Sequence, residues 1–89
     1  MKAVVFYERN SNVTMEKLME VYPTHKQLVD VFSNEGKVIA IGAFADPTGG
    51  SLGVFMDRTS AEEFVNQDPF VKEGLVGKIT IKEWNEILL

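Results

Sequence analysis

The chain predicts an α+β domain of the ferredoxin-like type, with elements in the order βαββαβ and a four-stranded antiparallel sheet carrying two helices on one face. Three observations lead there. Four short stretches rich in β-branched and aromatic residues, around 2–7, 37–44, 51–56 and 78–82, read as strands. Two stretches with apolar residues at helical spacing separate the first strand from the second and the third from the fourth. The middle two strands are joined by a turn-rich connector and read as a hairpin.

Lys2-Ala3-Val4-Val5-Phe6-Tyr7 is apolar on both alternating sets, the pattern of an inner strand covered on two faces. Arg9-Asn10-Ser11-Asn12 ends it as a polar loop. From about Thr14 a helix begins, with Met15, Leu18, Met19 and Tyr22 on one side and Glu16, Lys17 and Glu20 on the other. Pro23 has no N–H donor and clashes with the preceding turn, so a kink is expected there, or a restart with Pro23 in the first turn of a second segment. Asn34-Glu35-Gly36 ends that segment, because glycine takes the left-handed conformation that closes a helix.

Lys37 to Phe44 is a second strand, apolar on both faces. Asp46-Pro47-Thr48-Gly49-Gly50 is the connector, and Ser51 to Met56 the third strand. Ser60-Ala61-Glu62-Glu63 has the spacing of a capping box and opens a short helix with Ala61, Phe64 and Val65 inward. Gln67-Asp68-Pro69-Phe70 stops this helix, Gly74 closes a small turn, and Lys78-Ile79-Thr80-Ile81-Lys82 alternates cleanly between an apolar and a polar face. No linker, internal repeat or low-complexity segment interrupts the chain, so residues 1–89 are expected to form one domain.

Two right-handed crossovers place both helices on the same face of the sheet. Three of the four strands are nonetheless apolar on both faces, which would leave Val, Ile and Phe on a face without helices. The expected solution is a homodimer, or a higher homo-oligomer, in which two sheets pack face to face as a dimeric α/β barrel.

Composition narrows the function. Nine Lys plus Arg against thirteen Asp plus Glu give a formal net charge of -4, which repels a phosphate backbone, so nucleic acid is not an expected partner. There is no cysteine, which excludes disulfides, thiolate metal sites and thiol nucleophiles. One histidine excludes a multi-histidine metal site within one subunit and leaves only His plus carboxylate or a symmetry-shared site, and neither a metal nor another cofactor is expected. No apolar run is long enough to cross a membrane or to serve as a secretory h-region, so no membrane partner is expected and a cytoplasmic location is the default.

The one histidine, His25, sits on the apolar stripe Leu18, Tyr22, His25, Val29 and Phe32, spaced four, three, four and three. A titratable ring on that face looks into the core or a pocket. Imidazole is the side chain whose unperturbed pKa suits acid and base work near neutrality. A core histidine satisfied by a backbone carbonyl fits the spacing equally well. Asp68, in the turn after the second helix, is the expected orienting partner, yet an aspartate directly before Pro69 also has the pattern of a helix N-cap. The two roles can coexist, with one oxygen capping and the other orienting. Arg9 and Lys26 are candidates to meet an anionic substrate, and Tyr22, Phe32, Phe44 and Trp84 could line a pocket for a ring, although Phe32 fits the core better. Thr48-Gly49-Gly50-Ser51 gives a weak phosphate-loop signal, since no helix N-terminus follows it.

Taken in order, His25, Leu28 and Val29, then Asn34-Glu35-Gly36-Lys37-Val38 with Gly42, then Ser60-Ala61-Glu62-Glu63-Phe64, Asp68-Pro69-Phe70-Val71, Gly74-Leu75 and Trp84 resemble the YCII-related family of the dimeric α+β barrel superfamily. The chain departs in carrying Gly42-Ala43 where many relatives have Gly-Pro, and Pro23 near the histidine. The resemblance implies a ferredoxin-like homodimer with a site built on a His and Asp dyad, here His25 and Asp68. It also implies relatives that eliminate chloride from a hydroxylated chloroaromatic, on a barrel fold shared with lactone isomerases and cofactor-free monooxygenases.

The reading that follows is a small-molecule enzyme, lyase or isomerase-like, moving a proton on a small aromatic or lactone substrate. His25 and Asp68 are its catalytic candidates, and Arg9, Tyr22 and Phe44 its substrate-binding ones. The alternatives are a non-catalytic dimer that binds or senses a small ligand, and haem binding with His25 as sole axial ligand.

Overall fold

The computed structural model describes residues 1–46 and 48–87. Pro47, which the sequence puts in the hairpin connector, lies outside the described residues. The elements are β1 (Lys2–Arg9), α1 (Met15–Asn34), β2 (Val38–Ala43), β3 (Ser51–Phe55), α2 (Arg58–Gln67), α3 (Pro69–Lys72) and β4 (Val76–Trp84). The sheet order is β2-β3-β1-β4 with every neighbouring pair antiparallel, which is the ferredoxin-like arrangement with the four-residue helix α3 added before the last strand. Arg9, expected in the loop, is the last residue of β1, where the register against β4 shifts.

Alternation decides what each strand buries. Val5 pairs with Gly53 on one side and Ile81 on the other, and Ala3, Val5 and Tyr7 all point into a core shared with Phe32, Val38, Phe55, Ala61 and Phe64. Phe64 of α2 locks that core by meeting Phe32 edge-on, with ring centroids 5.2 Å apart at 82°. The alternate residues Val4, Phe6, Leu52 and Val54 form the opposite face, where Phe6 stays 38% exposed.

Two local expectations are corrected. Pro23 does not restart the helix, for α1 runs through it as one element of 20 residues, capped by the Thr14 hydroxyl accepting from the Lys17 N–H. A proline inside a helix costs roughly 3 kcal/mol. Burying side chains such as Val21 and Phe32 on the same helix returns roughly 1.5–3 kcal/mol each, enough to offset it. The predicted inward face is also narrower than its spacing suggests: Val21, His25 and Phe32 are buried, whereas Tyr22 is 45% exposed.

The second correction concerns α2. Its N-cap is Asp57, whose carboxylate accepts from the Ser60 N–H at 2.8 Å, so the helix begins at Arg58. Ser60 lies buried in the first turn instead of capping it, and Glu63 reaches the Lys37 ammonium at 3.2 Å. Aspartate is at least as good an N-cap as serine, and it comes earlier in the chain.

Candidate active site

Asp68 is placed by a break in the chain. Pro69 pushes the residue before it off the helical region, and Asp68 takes φ -65° and ψ 120°, ending α2 and capping α3. Its side chain is fully buried and accepts three hydrogen bonds. Oδ1 accepts from the Phe70 N–H at 3.0 Å and from Nδ1 of His25 at 2.8 Å, and Oδ2 accepts from the Tyr7 hydroxyl at 2.8 Å. Capping and contact with the histidine thus coexist in the geometry, but on one oxygen, not divided between the two. The other oxygen belongs to Tyr7.

A carboxylate accepts and does not donate, so Nδ1 of His25 donates to Asp68, and in the neutral ring Nε2 is then the nitrogen with the lone pair. Aromatic contacts hold the ring's plane. Phe70 stacks on it with centroids 4.1 Å apart at 11°, and Phe64 meets it edge-on at 6.0 Å. Such contacts favour one ring orientation over the rotations a solvent-exposed imidazole would sample.

His25 forms part of the wall of a cavity of about 620 Å³ between α1 and the sheet. Most of the wall is apolar or aromatic, including Val29, Ile41 and Phe55. Arg9, Tyr22 and Phe44 all line it, and Phe44 is 43% exposed. Arg9 donates to the Val13 carbonyl at 2.7 Å, which ties the end of β1 to the start of α1 beside the cavity. Lys26 lines it as well and is ion-paired with Asp30 one turn further along α1. Among the described residues the charged side chains of the wall are therefore cationic, although the chain as a whole is net -4.

The structure brings together His25, Asp68, Arg9, Tyr22 and Phe44 and leaves out two other candidates. Phe32 packs in the core, and Trp84 ends β4 opposite Lys2. The Gly49-Gly50 segment connects two strands, as expected of a hairpin.

Sequence reasoning passed over Tyr7 and Phe70. Tyr7 carries a readable signal, because it alternates with Ala3 and Val5 on the buried set of an inner strand, and a buried phenol needs a hydrogen-bond partner. Phe70 carries none, since its stacking depends on the path of the chain after Pro69.

Burial pushes the Tyr7 hydroxyl well above the ordinary tyrosine range, and the Asp68 charge and the hydrogen bond to it act in the same direction. Folding stability should respond at alkaline pH. Below a pH of about 10 both folded and unfolded chains hold this proton and its contribution is fully present. Above that the unfolded chain releases it first, so stability falls as pH rises, by up to about 1.4 kcal/mol per pH unit for this one group. Denaturant titrations of wild type and Tyr7→Phe between pH 8 and 11 should show a shallower loss in the variant; parallel slopes would contradict the assignment.

The comparisons with known proteins agree with this architecture. The family model for the YCII-related domain matches residues 1–85. Among curated proteins, no sequence relative matches. Among solved structures, 5-chloro-2-hydroxyhydroquinone dehydrochlorinase from Burkholderia phenoliruptrix, in complex with 2,5-dihydroxybenzoquinone, is similar with a TM-score of 0.79 and 17% identity, over 96% of this chain and 94% of that one. A dimeric ferredoxin-like protein of unknown function from Bacteroides fragilis has a TM-score of 0.61 and 11% identity, over 96% and 94%. Hydroxynitrile lyase from Passiflora edulis has a TM-score of 0.52 and 16% identity, over 99% and 95%. At these identities the likeness is one of fold.

Proposed function

Because the chain belongs to the YCII-related domain family and seats a histidine at the wall of an apolar cavity with its Nδ1 held by a buried aspartate, we propose that it is a small-molecule enzyme of lyase or isomerase type. His25 is the general acid and base: Nε2 takes a proton from the bound substrate and returns it to another atom of the substrate or to its leaving group. Asp68 keeps Nδ1 protonated and neutralises the imidazolium as it forms. The observation that carries the reading is the His25 to Asp68 contact at 2.8 Å, buried on the Asp side and lining a cavity on the His side.

The wall chemistry supports a substrate class. Tyr22, Phe44 and Phe70 offer ring surfaces, and the charged side chains among the described wall residues, Arg9 and the Asp30-paired Lys26, are cationic. Such a site suits a flat ring compound, aromatic or lactone, that carries or develops negative charge as it loses a proton. That two structural neighbours are a dehydrochlorinase and a hydroxynitrile lyase is in keeping with this choice.

A homodimer closed through Val4, Phe6, Leu52 and Val54 belongs to the same proposal, supported by the apolar character of that face and by the dimeric neighbour. One experiment tests both halves. Wild type and His25→Ala are sedimented and then assayed against hydroxylated aromatics, hydroxyquinones and lactones. Both should sediment as dimers, and turnover should fall on the order of 10²-fold in the variant. A monomer would remove the dimer, and a compound bound through His25 but recovered unaltered would replace the enzyme with a ligand-binding protein.

A further inference from the structure

We propose that Tyr7 is a positioning residue of this site, its hydroxyl holding Oδ2 of Asp68 so that Oδ1 stays aimed at Nδ1 of His25. The inference rests on the reading of His25 as the proton-transfer group and adds a member to its support.

The argument begins with what an aspartate cannot do alone. Rotation of a carboxyl group about its last side-chain bond is soft and roughly two-fold, so the Asp68 rotamer does not by itself fix where either oxygen points. Oδ1 serves both the Phe70 N–H and His25, and swinging the carboxyl would weaken both contacts. The hydrogen bond to Oδ2 comes from Tyr7, 61 residues away along the chain and on a different element. Asp68 is 0% exposed, so water cannot readily take the place of that donor.

Tyr7 is well placed for the task. It lies on an inner strand, opposite Ser51 of β3 and Ile79 of β4, and 7% of its surface is exposed. Its phenol keeps its proton far beyond neutrality, which keeps it a donor across the working range of an imidazole. No proton needs to leave Tyr7 during turnover. Its hydroxyl donates to Asp68, and its contribution is orientation.

A purely space-filling tyrosine would make the same packing contacts, so the test must read the imidazole itself. Nitrogen-15 spectra of His25 are recorded for wild type and Tyr7→Phe under conditions where both are folded. Wild type should show protonated Nδ1 and bare Nε2. In Tyr7→Phe the Nε2 resonance should move toward the protonated value, and the Nδ1–H signal should broaden. Identical ring resonances in the two folded proteins would overturn the proposal and leave Tyr7 a core residue.

Should Tyr7→Phe not fold, 3-fluorotyrosine is incorporated in a Tyr22→Phe background, which strengthens the Tyr7 donor with little change in size. A displaced Nδ1–H proton resonance is expected, and an unmoved one overturns the proposal. The readout needs no substrate, so its failure is separable from that of the proposed function. If the resonances move while no compound is turned over, Tyr7 positions a histidine that does not catalyse.

Discussion

Asp68→Ala is expected to cost roughly 4–6 kcal/mol, close to the whole stability of a domain this small, whereas Asp68→Asn should fold and lose its turnover. The difference lies in which groups are left without partners. Alanine strands the Tyr7 hydroxyl, the Phe70 N–H and the His25 Nδ1–H around a side-chain position that is itself 0% exposed. Each unpaired buried donor costs roughly 1–3 kcal/mol, and the stranded Phe70 N–H is itself the lost helix cap.

Asparagine avoids most of that. Its carbonyl in the place of Oδ1 still accepts from Phe70 and His25, and its amide in the place of Oδ2 donates to the Tyr7 oxygen once that hydroxyl turns. What it cannot supply is the negative charge beside the imidazolium that forms when Nε2 takes a proton. Turnover should then fall on the order of 10²-fold or more, with a stability loss of only about 1–2 kcal/mol. Denaturant melts and initial rates on the same preparations check both statements. An Asp68→Asn protein with full activity would reduce Asp68 to a helix cap.

The fold was largely legible because its signals are periodic. β4 announces itself by alternation, β1 by an unbroken β-branched and aromatic run, and α1 by the four-three spacing that carries His25 inward. Where local chemistry competes with packing, the sequence misleads. Pro23 argues for a break that the buried side of α1 overrides, and Ser60-x-x-Glu63 has the right spacing for a cap that Asp57 supplies first. Between His25 and Asp68, spacing could offer only two coexisting roles. Their contact is a matter of how α1 and the α2 to α3 corner pack, and no periodicity encodes it. Tyr7 shows the same limit: its strand and face could be read, but its partner depends on the tertiary path that carries residue 68 to it.

Gly50→Ala is expected to destabilise by about 3 kcal/mol or more, a large effect for the addition of one methyl group. Gly50 has φ +80°, a conformation that costs an L-residue free energy even in open space. Here the space is closed too. A Cβ at this position would lie 1.9 Å from the Tyr7 carbonyl oxygen and 3.0 Å from its carbonyl carbon, both backbone atoms of an inner strand. No rotamer change relieves such a clash, so either the start of β3 or the end of β1 has to move. Gly36 is the control: it has φ +72° at the end of α1 and nothing within 4 Å of its would-be Cβ, so alanine there should cost only about 1 kcal/mol.

The displacement bears on the site because Gly50 precedes Ser51, which pairs with Tyr7, and Gly50 itself lines the cavity. Moving the Tyr7 backbone shifts the hydroxyl that meets Asp68, so Gly50→Ala should disturb the His25 ring resonances at temperatures where the variant is still folded. Gly36→Ala should leave them unchanged. Melts of the two variants showing equal losses would mean that β1 and β3 separate easily at this end, and the carbonyl contact would then have no bearing on the site.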